Sequence, residues 1–273
     1  MNYKILKKSF LFSALFLLLS CEEIIILDLD TEDQKLVIQA DLNVTDNTCT
    51  VLINKSSDFY ASNDFEKVAG ASISLTTSSG NIYILNEVSE GKYSGSNILT
   101  IPDETVSIEI ITVDNQAFMA SAIVPKAVEL DKLLVEESPS GGGLGGGGGN
   151  VEKQFELTLE WQDIAGEANF YRAKIFKNEA FLSGVYVLAD DVLGDGVTLT
   201  RPVIREFFDL GDEIRVQLLS INKGYYDYFS DIANSDGRGF SSPTPYNPGS
   251  NLDNNALGYF GIWQMSEKMI TVE

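Results

Sequence analysis

The feature that most restricts this chain is a series of short segments in which apolar and polar residues alternate. Thr105-Val106-Ser107-Ile108-Glu109-Ile110 places Val106, Ile108 and Ile110 on one side, a period of two that only an extended strand satisfies. Phe155 to Trp161 repeats the pattern with Phe155, Leu157, Leu159 and Trp161, and Ile214 to Ser220 repeats it with Ile214, Val216 and Leu218. Other segments of strand length and β-branched composition lie at Leu36 to Leu42, Val51 to Asn54, Ala71 to Thr76, Asn81 to Leu85, Phe118 to Val124, Leu133 to Val135 and Tyr171 to Phe176. Ser79-Gly80, Glu90-Gly91 and Asp114-Asn115 bound several of them as turns. No stretch of a dozen residues combines a 3.6-residue period with helix caps, so the expected class is all-β, with short strands spaced as β-sandwiches require.

The first two dozen residues obey a different logic. Lys4, Lys7 and Lys8 make a basic start, and Phe10 to Leu19 follows as an uncharged apolar run. As a helix that run is ~15 Å long, half the ~30 Å hydrocarbon thickness of a bilayer, which suits a signal-peptide core and not a membrane span. Leu18-Leu19-Ser20-Cys21 then matches a bacterial lipobox: small Ser20 admits the signal peptidase, and the Cys21 thiol takes the lipid as a thioether. Residues 1–20 are therefore expected to be a signal peptide. Residues 21–34 form an acidic tether anchored to the membrane through lipid on Cys21.

Composition excludes several functions. The formal charge is −21, and removal of residues 1–20, with three lysines and no acid, takes it to −24. Such a chain lacks the basic surface that phosphate neutralisation needs, so nucleic acid is not an expected partner. There is no histidine, which removes Ser-His-Asp and Cys-His nucleophilic systems and the usual zinc sites. Once Cys21 is lipidated, Cys49 stands alone within the strand pattern Cys49 to Ile53, and reads as a small buried hydrophobe with no disulfide available. Paired carboxylates remain conceivable for glycoside hydrolysis, but among 40 acids no pair is informative. Asp190 to Gly196 and Asn234 to Gly237 offer oxygen ligands with turn-forming glycines. Neither has the EF-hand spacing, and the Asp-Gly turn is the simpler reading, so no metal and no cofactor is expected.

The strand series divides near residue 128. Within 35–128, Gly70-Ala71-Ser72-Ile73-Ser74-Leu75, then Gly91-Lys92-Tyr93, then an extended pair ending at Val124-Pro125, resembles the transthyretin-like or carboxypeptidase-regulatory-like sandwich. In 129–273, the inward Trp161 beside the Tyr171 to Phe176 strand resembles the fibronectin type III sandwich. A glycine-rich loop, 138–150, contains Gly141 to Gly143 and Gly145 to Gly149. It fits a loose hairpin loop inside the second sandwich better than an interdomain linker, because a strand precedes it. Tyr225, Tyr226, Tyr228 and Phe229 form the most aromatic stretch. Read as a strand, the stretch sets Tyr226 and Tyr228 on one face and Tyr225 with Phe229 on the other, and the outward half is the candidate binding platform for a sugar or a protein partner. Tyr259, Phe260 and Trp263 are expected to close the sandwich.

Together, the lipobox with acids after it, Leu36-Val37-Ile38-Gln39-Ala40, the Gly70 and Tyr93 motifs, Phe155 to Trp161, Asn169 to Arg172 and Leu257-Gly258-Tyr259-Phe260-Gly261 resemble one family. It is the domain-of-unknown-function 4249 family of Bacteroidota outer-membrane lipoproteins. The resemblance implies a non-enzymatic, lipid-anchored outer-membrane protein, commonly encoded beside a SusC-like TonB-dependent receptor, and it carries over no catalytic or binding residue. Glu22 and Glu23 resemble the acidic signal that exports such lipoproteins to the cell surface. The expected role is accessory or ligand-capture partner of the transporter; the alternative is a structural or adhesin-like envelope protein. The anchor is directly testable. Cys21→Ala should abolish fatty-acid labelling and move the protein to the soluble fraction; a mutant that stays membrane-bound and labelled refutes the assignment.

Overall fold

The computed structural model describes residues 34–56, 65–138, 153–192, 194–204, 206–235 and 246–273. Cys21 with its lipobox, and the glycine run, lie outside these residues. The described chain is nearly all strand, as the alternation requires. The strands are β1 (Leu36–Asn43), β2 (Thr48–Lys55), β3 (Ser72–Thr77), β4 (Ile82–Ser89), β5 (Lys92–Ser96), β6 (Thr105–Ile111), β7 (Ala117–Ile123), β8 (Lys132–Glu137), β9 (Phe155–Gln162), β10 (Phe170–Lys177), β11 (Ala180–Phe181), β12 (Val187–Asp190), β13 (Thr198–Pro202), β14 (Glu213–Ile221) and β15 (Leu257–Thr271). One helix, α1 (Lys223–Ser235), lies between β14 and β15.

Two sheets result. Twelve strands form one, in the order β11-β10-β14-β15-β1-β2-β5-β4-β3-β6-β7 with β12 also on β10; β13-β9-β8 form the other. The large sheet supplies both layers around the first core, on either side of the register slip between Glu87 and Ser89 of β4 against β5, and one layer over the second core. The first core lies between its two arms and includes Ile38, Val51, Ile73, Leu75, Tyr93 and Ile108. Tyr93 is tied at its hydroxyl, which accepts from Ala71 N at 2.9 Å and donates to Val68 O at 3.1 Å. Cys49 is fully buried here, and burial pushes its thiol up, away from the reactive thiolate. The second core lies under the three-stranded sheet, with Leu157, Leu159, Trp161, Tyr171, Val216 and Leu218. Flanking the glycine run, β8 and β9 are antiparallel neighbours from Lys132↔Glu160 to Glu137↔Phe155, so the run joins two adjacent strands of one sheet.

The change of core falls between Val124 and Val128, but the carboxyl terminus does not respect it. Leu252, Ala256, Phe260 and Ile262 return to the first core, while Val272 belongs to the second. Phe260 and Ile262 lie on β15, fifteen residues and about 50 Å long, with Leu252 and Ala256 just before it and Val272 just after. Its first half runs parallel to β1 (Val37↔Leu257 to Asn43↔Trp263), and from Trp263 onward it runs antiparallel to β14 (Ile221↔Trp263 to Glu213↔Thr271). Gln34 to Glu273 accordingly form one compact unit. The segment preceding β15 also seals the β7 edge: Met119 N donates to Asp253 Oδ1 at 2.7 Å and Asp253 N to Met119 O at 3.0 Å.

The β1–β15 pairing needs a glycine at its start. Gly258 has φ +100°, and a Cβ there would sit 1.9 Å from the Ile38 carbonyl oxygen. Gly258→Ala should cost at least about 2 kcal/mol, from the left-handed backbone plus forced separation of the two strands. Gly80→Ala, at φ +92° with nothing within 4 Å, isolates the backbone part and should cost about 1 kcal/mol. Urea unfolding curves compare them; equal losses refute the close-packing argument.

Candidate functional site

The aromatic stretch is helical, not a strand. Tyr225, Tyr228, Phe229 and Ile232 recur at helical spacing, but the first turn of α1 carries no acid and the last no base, so the usual charge signals of a helix are missing. Asn222 makes the transition. Its Oδ1 accepts from Ile262 N at 2.7 Å and its Nδ2 donates to Phe260 O at 3.3 Å, while its own carbonyl accepts the first helical bond from Tyr226 N. Asn251 also grips this strand, donating to the same Phe260 O and accepting from Phe260 N. The helix is thereby laid across the outer face of β10, β14 and β15.

Gly261 makes room for it, since a Cβ there would stand 2.1 Å from the Tyr225 ring. Tyr225 is fully buried and meets Tyr259 edge-on at 5.0 Å and Phe229 at 4.7 Å. Tyr228 packs on Tyr259 at 4.8 Å and on Phe229 at 5.3 Å. Tyr226 points elsewhere, stacking with Phe170 at 5.1 Å and donating to Asp190 Oδ2 at 3.0 Å. The expected grouping of Tyr226 with Tyr228 is thus corrected: two residues apart is 200° around a helix. Tyr225 and Phe229 do share a face, one helical turn apart. Tyr259 and Trp263, expected to close the sandwich, instead join this third cluster; Phe260 enters the first core.

Charged groups lie beneath the rings. Arg172 donates to the Tyr225 hydroxyl at 2.7 Å and stands 3.5 Å over the Phe229 ring. Asp41 accepts from the Tyr259 hydroxyl at 2.9 Å and from Trp263 Nε1 at 3.3 Å. Burial raises the Asp41 pKa, and the Tyr259 bond and the nearby Lys174 and Arg172 charges counter it. Lys174 lies 5.1 Å from the Trp263 ring, its pKa lowered by burial and by Arg172 against the pull of Asp41. Sequence reasoning found the tyrosines but not Asp41, Arg172, Lys174 or Trp263 as their companions; those residues sit on strands up to two hundred positions away. Half-buried Tyr226, Tyr228, Phe229, Phe170, Trp263 and Met265 leave the cluster an aromatic outer surface.

Among the described residues, one acidic group has the geometry of a cation site. Ligand oxygens of Asp163, Asp191 and Asp195 lie within 4.8 Å of one another, two of them from the Asp190 to Gly196 loop. Every one of these carboxylates is already engaged. Asp163 accepts from the Tyr171 hydroxyl at 2.6 Å and Gly196 N at 2.9 Å, Asp191 from Asn169 N at 3.0 Å, and Asp195 from Gly166 N at 2.8 Å. They lash the loop before β10 to the loop after β12, which accounts for their convergence. Of the Asn234 to Gly237 segment, read as a loop from the sequence, Asn234 and Ser235 are the last two residues of α1, and Asp236 and Gly237 lie outside the described residues.

Burial raises the hydroxyl pKa values of Tyr171, Tyr225 and Tyr259 well above the ordinary 10, helped at Tyr171 by Asp163 and at Tyr259 by Asp41. A raised folded-state pKa contributes stability that is complete below the unfolded value and disappears as pH rises through the folded one. In an absorbance titration, at least three of the eleven tyrosines should stay protonated past pH 10 and then ionise together with unfolding. Ionisation of all eleven near pH 10 in a chain that keeps its near-ultraviolet dichroism contradicts the burial of these hydroxyls.

Comparison with curated proteins finds no match. The profile of a family described as a domain of unknown function, DUF4249, matches residues 22–269. That span takes in all fifteen strands but the last two residues of β15, together with the helix and its aromatic cluster, and the chain belongs to the DUF4249 family.

Proposed function

We propose that this protein is a lipid-anchored outer-membrane protein, exposed at the cell surface of a Bacteroidota bacterium, that serves without catalysis as accessory or ligand-capture partner of a SusC-like TonB-dependent transporter. The observation that carries the binding role is the third cluster. Two sandwich cores already stabilise the fold, yet a helix and six half-buried aromatic or thioether side chains are added on the outside of the shared sheet. Aromatic anchors of this kind concentrate binding energy at protein interfaces. The lipobox at Leu18 to Cys21 supports the anchor. The absence of histidine and the buried, high-pKa Cys49 thiol support a role without nucleophilic chemistry.

The alternative of a structural or adhesin-like envelope protein uses the same aromatic surface for contact with other surface proteins. Native co-purification separates the two. The lipidated protein, extracted in mild detergent, should bring down a TonB-dependent receptor. Tyr228→Ala should weaken that complex about 30-fold, equivalent to ~2 kcal/mol, while changing the melting temperature little. Tyr225→Ala, which removes a buried ring, should lower the melting temperature instead. Recovery of other surface proteins and no receptor favours the structural role. A receptor complex indifferent to Tyr228→Ala places the contact on another face.

A further inference from the structure

The second sandwich is open along one side. Its layers are β13-β9-β8 and the part of the large sheet that holds β10, β14 and the second half of β15. β1 accompanies β15 only as far as Trp263, and Thr45 Oγ1 takes Met265 N at 2.8 Å. From Glu267 to Thr271, β15 has β14 on one side and no ladder partner among the described residues on the other. Across from it, β8 pairs with β9 alone. An open cleft of about 560 Å³ lies between the two edges, lined by Leu133 to Glu136 of β8 and by Ile270, Thr271 and Glu273.

The ladder fixes where the unpaired backbone groups point. In an antiparallel pair, alternate residues send both N–H and C=O to the partner, and those between send both away. Val272 N donates to Asp212 O, and at the other end of the ladder Asn222 N donates to Ile262 O. Even-numbered residues of this half of β15 therefore face β14, and Glu267, Met269 and Thr271 present N–H and C=O to the open side. The side chains are uncovered at the same place. Leu133, Val135 and Ile270 pack on the second core yet are only half-buried, whereas Leu157, Leu159, Val216 and Leu218 are fully buried.

Other sheet edges are protected. Asp253 seals β7, Asn254 Nδ2 donates to Ala117 O, β11 has two residues, and β13 has five and ends on Pro202. At the open edge the one such device is exposed Lys268, which shares the inner face with Ile270. An unpaired edge beside a half-covered core fits an added strand, about 4.8 Å from β15 and in line with β1. Charge narrows the occupant. Glu136 and Glu273 line the cleft and form no ion pair among the described residues, while Lys132 and Lys153 are taken by Glu160 and Glu137. A second copy of this chain, with a formal charge of −21, would bring the same carboxylates against their own kind.

We propose that this edge takes up an extended segment of a partner polypeptide, which pairs with Glu267 to Thr271 of β15. The segment sets an apolar residue at every second position against Leu133, Val135 and Ile270, and carries basic residues at its ends. This goes beyond the transporter partnership and does not use the aromatic surface.

The probe is a short blocked peptide of alternating valine and threonine with a lysine at each end, titrated into the full lipoprotein in detergent and followed by calorimetry and hydrogen exchange. Saturable binding is expected, with the Met269 and Thr271 amides exchanging freely in the protein alone and at least tenfold more slowly with peptide. N-methylation of the valine and threonine amides should weaken binding at least tenfold, and glutamate in place of the lysines should weaken it too. Met269→Pro should abolish binding at an unchanged melting temperature, because the Met269 N–H points away from β14 and proline there breaks no ladder bond. Met269→Thr, which keeps the N–H, should bind as the native chain does. No binding up to about 1 mM, binding indifferent to N-methylation, or edge amides already protected without peptide overturns the proposal. Dimerisation of the protein through this edge overturns it as well. The hydrogen-exchange and N-methylation arms use the native chain, so they decide the question even if Met269→Pro fails to fold.

Discussion

The rest of the structure depends on the pairing of the last strand with the first. Val37 and Leu257 are 220 residues apart, so their ladder ties the first described strand to the last. Loop-closure entropy grows only logarithmically, so this pairing is affordable once both cores exist, although contacts at such separation form late in folding. Its geometry is demanding. β15 leaves a parallel partner for an antiparallel one at Trp263, and Gly258 lets its backbone touch Ile38. Without β15, Phe260 and Ile262 leave the first core, Val272 leaves the second, and the two arms of the sheet lose the strand that makes them one.

The aromatic cluster follows from that strand. Asn222 and Asn251 both bond to the Phe260–Ile262 stretch of β15, fixing where α1 starts, and Gly261 sets how closely it lies. Aromatic pairs add about 0.5–1.5 kcal/mol each, whereas burying Asp41 and Arg172 costs several kcal/mol per ion before their bonds repay it. What the buried charges do is hold specific hydroxyl and indole groups: Tyr225 by Arg172, Tyr259 and Trp263 by Asp41. The cluster is oriented by polar bonds and filled by rings, which leaves Tyr228 and Tyr226 presented at defined positions.

With 40 acids against 19 bases, most carboxylates have no cation to pair with. Many are instead spent on backbone N–H groups. Asp163, Asp191 and Asp195 tie two loops together, Asp253 caps the β7 edge, Asp231 takes Gly249 N at 2.8 Å, and Asp131 takes Gln162 N at 2.9 Å. Charge-assisted bonds of this sort are about twice as strong as neutral ones. They hold long loops in a chain that has no disulfide among its described residues. The convergence of three carboxylates is the local consequence of using acids as clamps.

What the sequence by itself determined is what depends on near neighbours. The period of two marked Val106, Ile108 and Ile110, then Leu157, Leu159 and Trp161, then Ile214, Val216 and Leu218, and all are buried, because alternation along a strand is a property of adjacent residues. The family was legible for the same reason, its motifs being short runs. The position of Tyr225 to Phe229 was not: their helix has no acid in its first turn and no base in its last, and it starts from an asparagine whose side chain is bonded to a strand forty residues later. Nor was β15 legible, whose first half reads as a glycine-broken aromatic run and becomes a strand only when β1 lies beside it. Arg172, Asp41 and Trp263 carry no local signal of their association. Only the tertiary structure decided these, because a buried charge or a glycine contact is fixed by which distant backbone arrives next to it, and that is settled by the closure of the whole sheet.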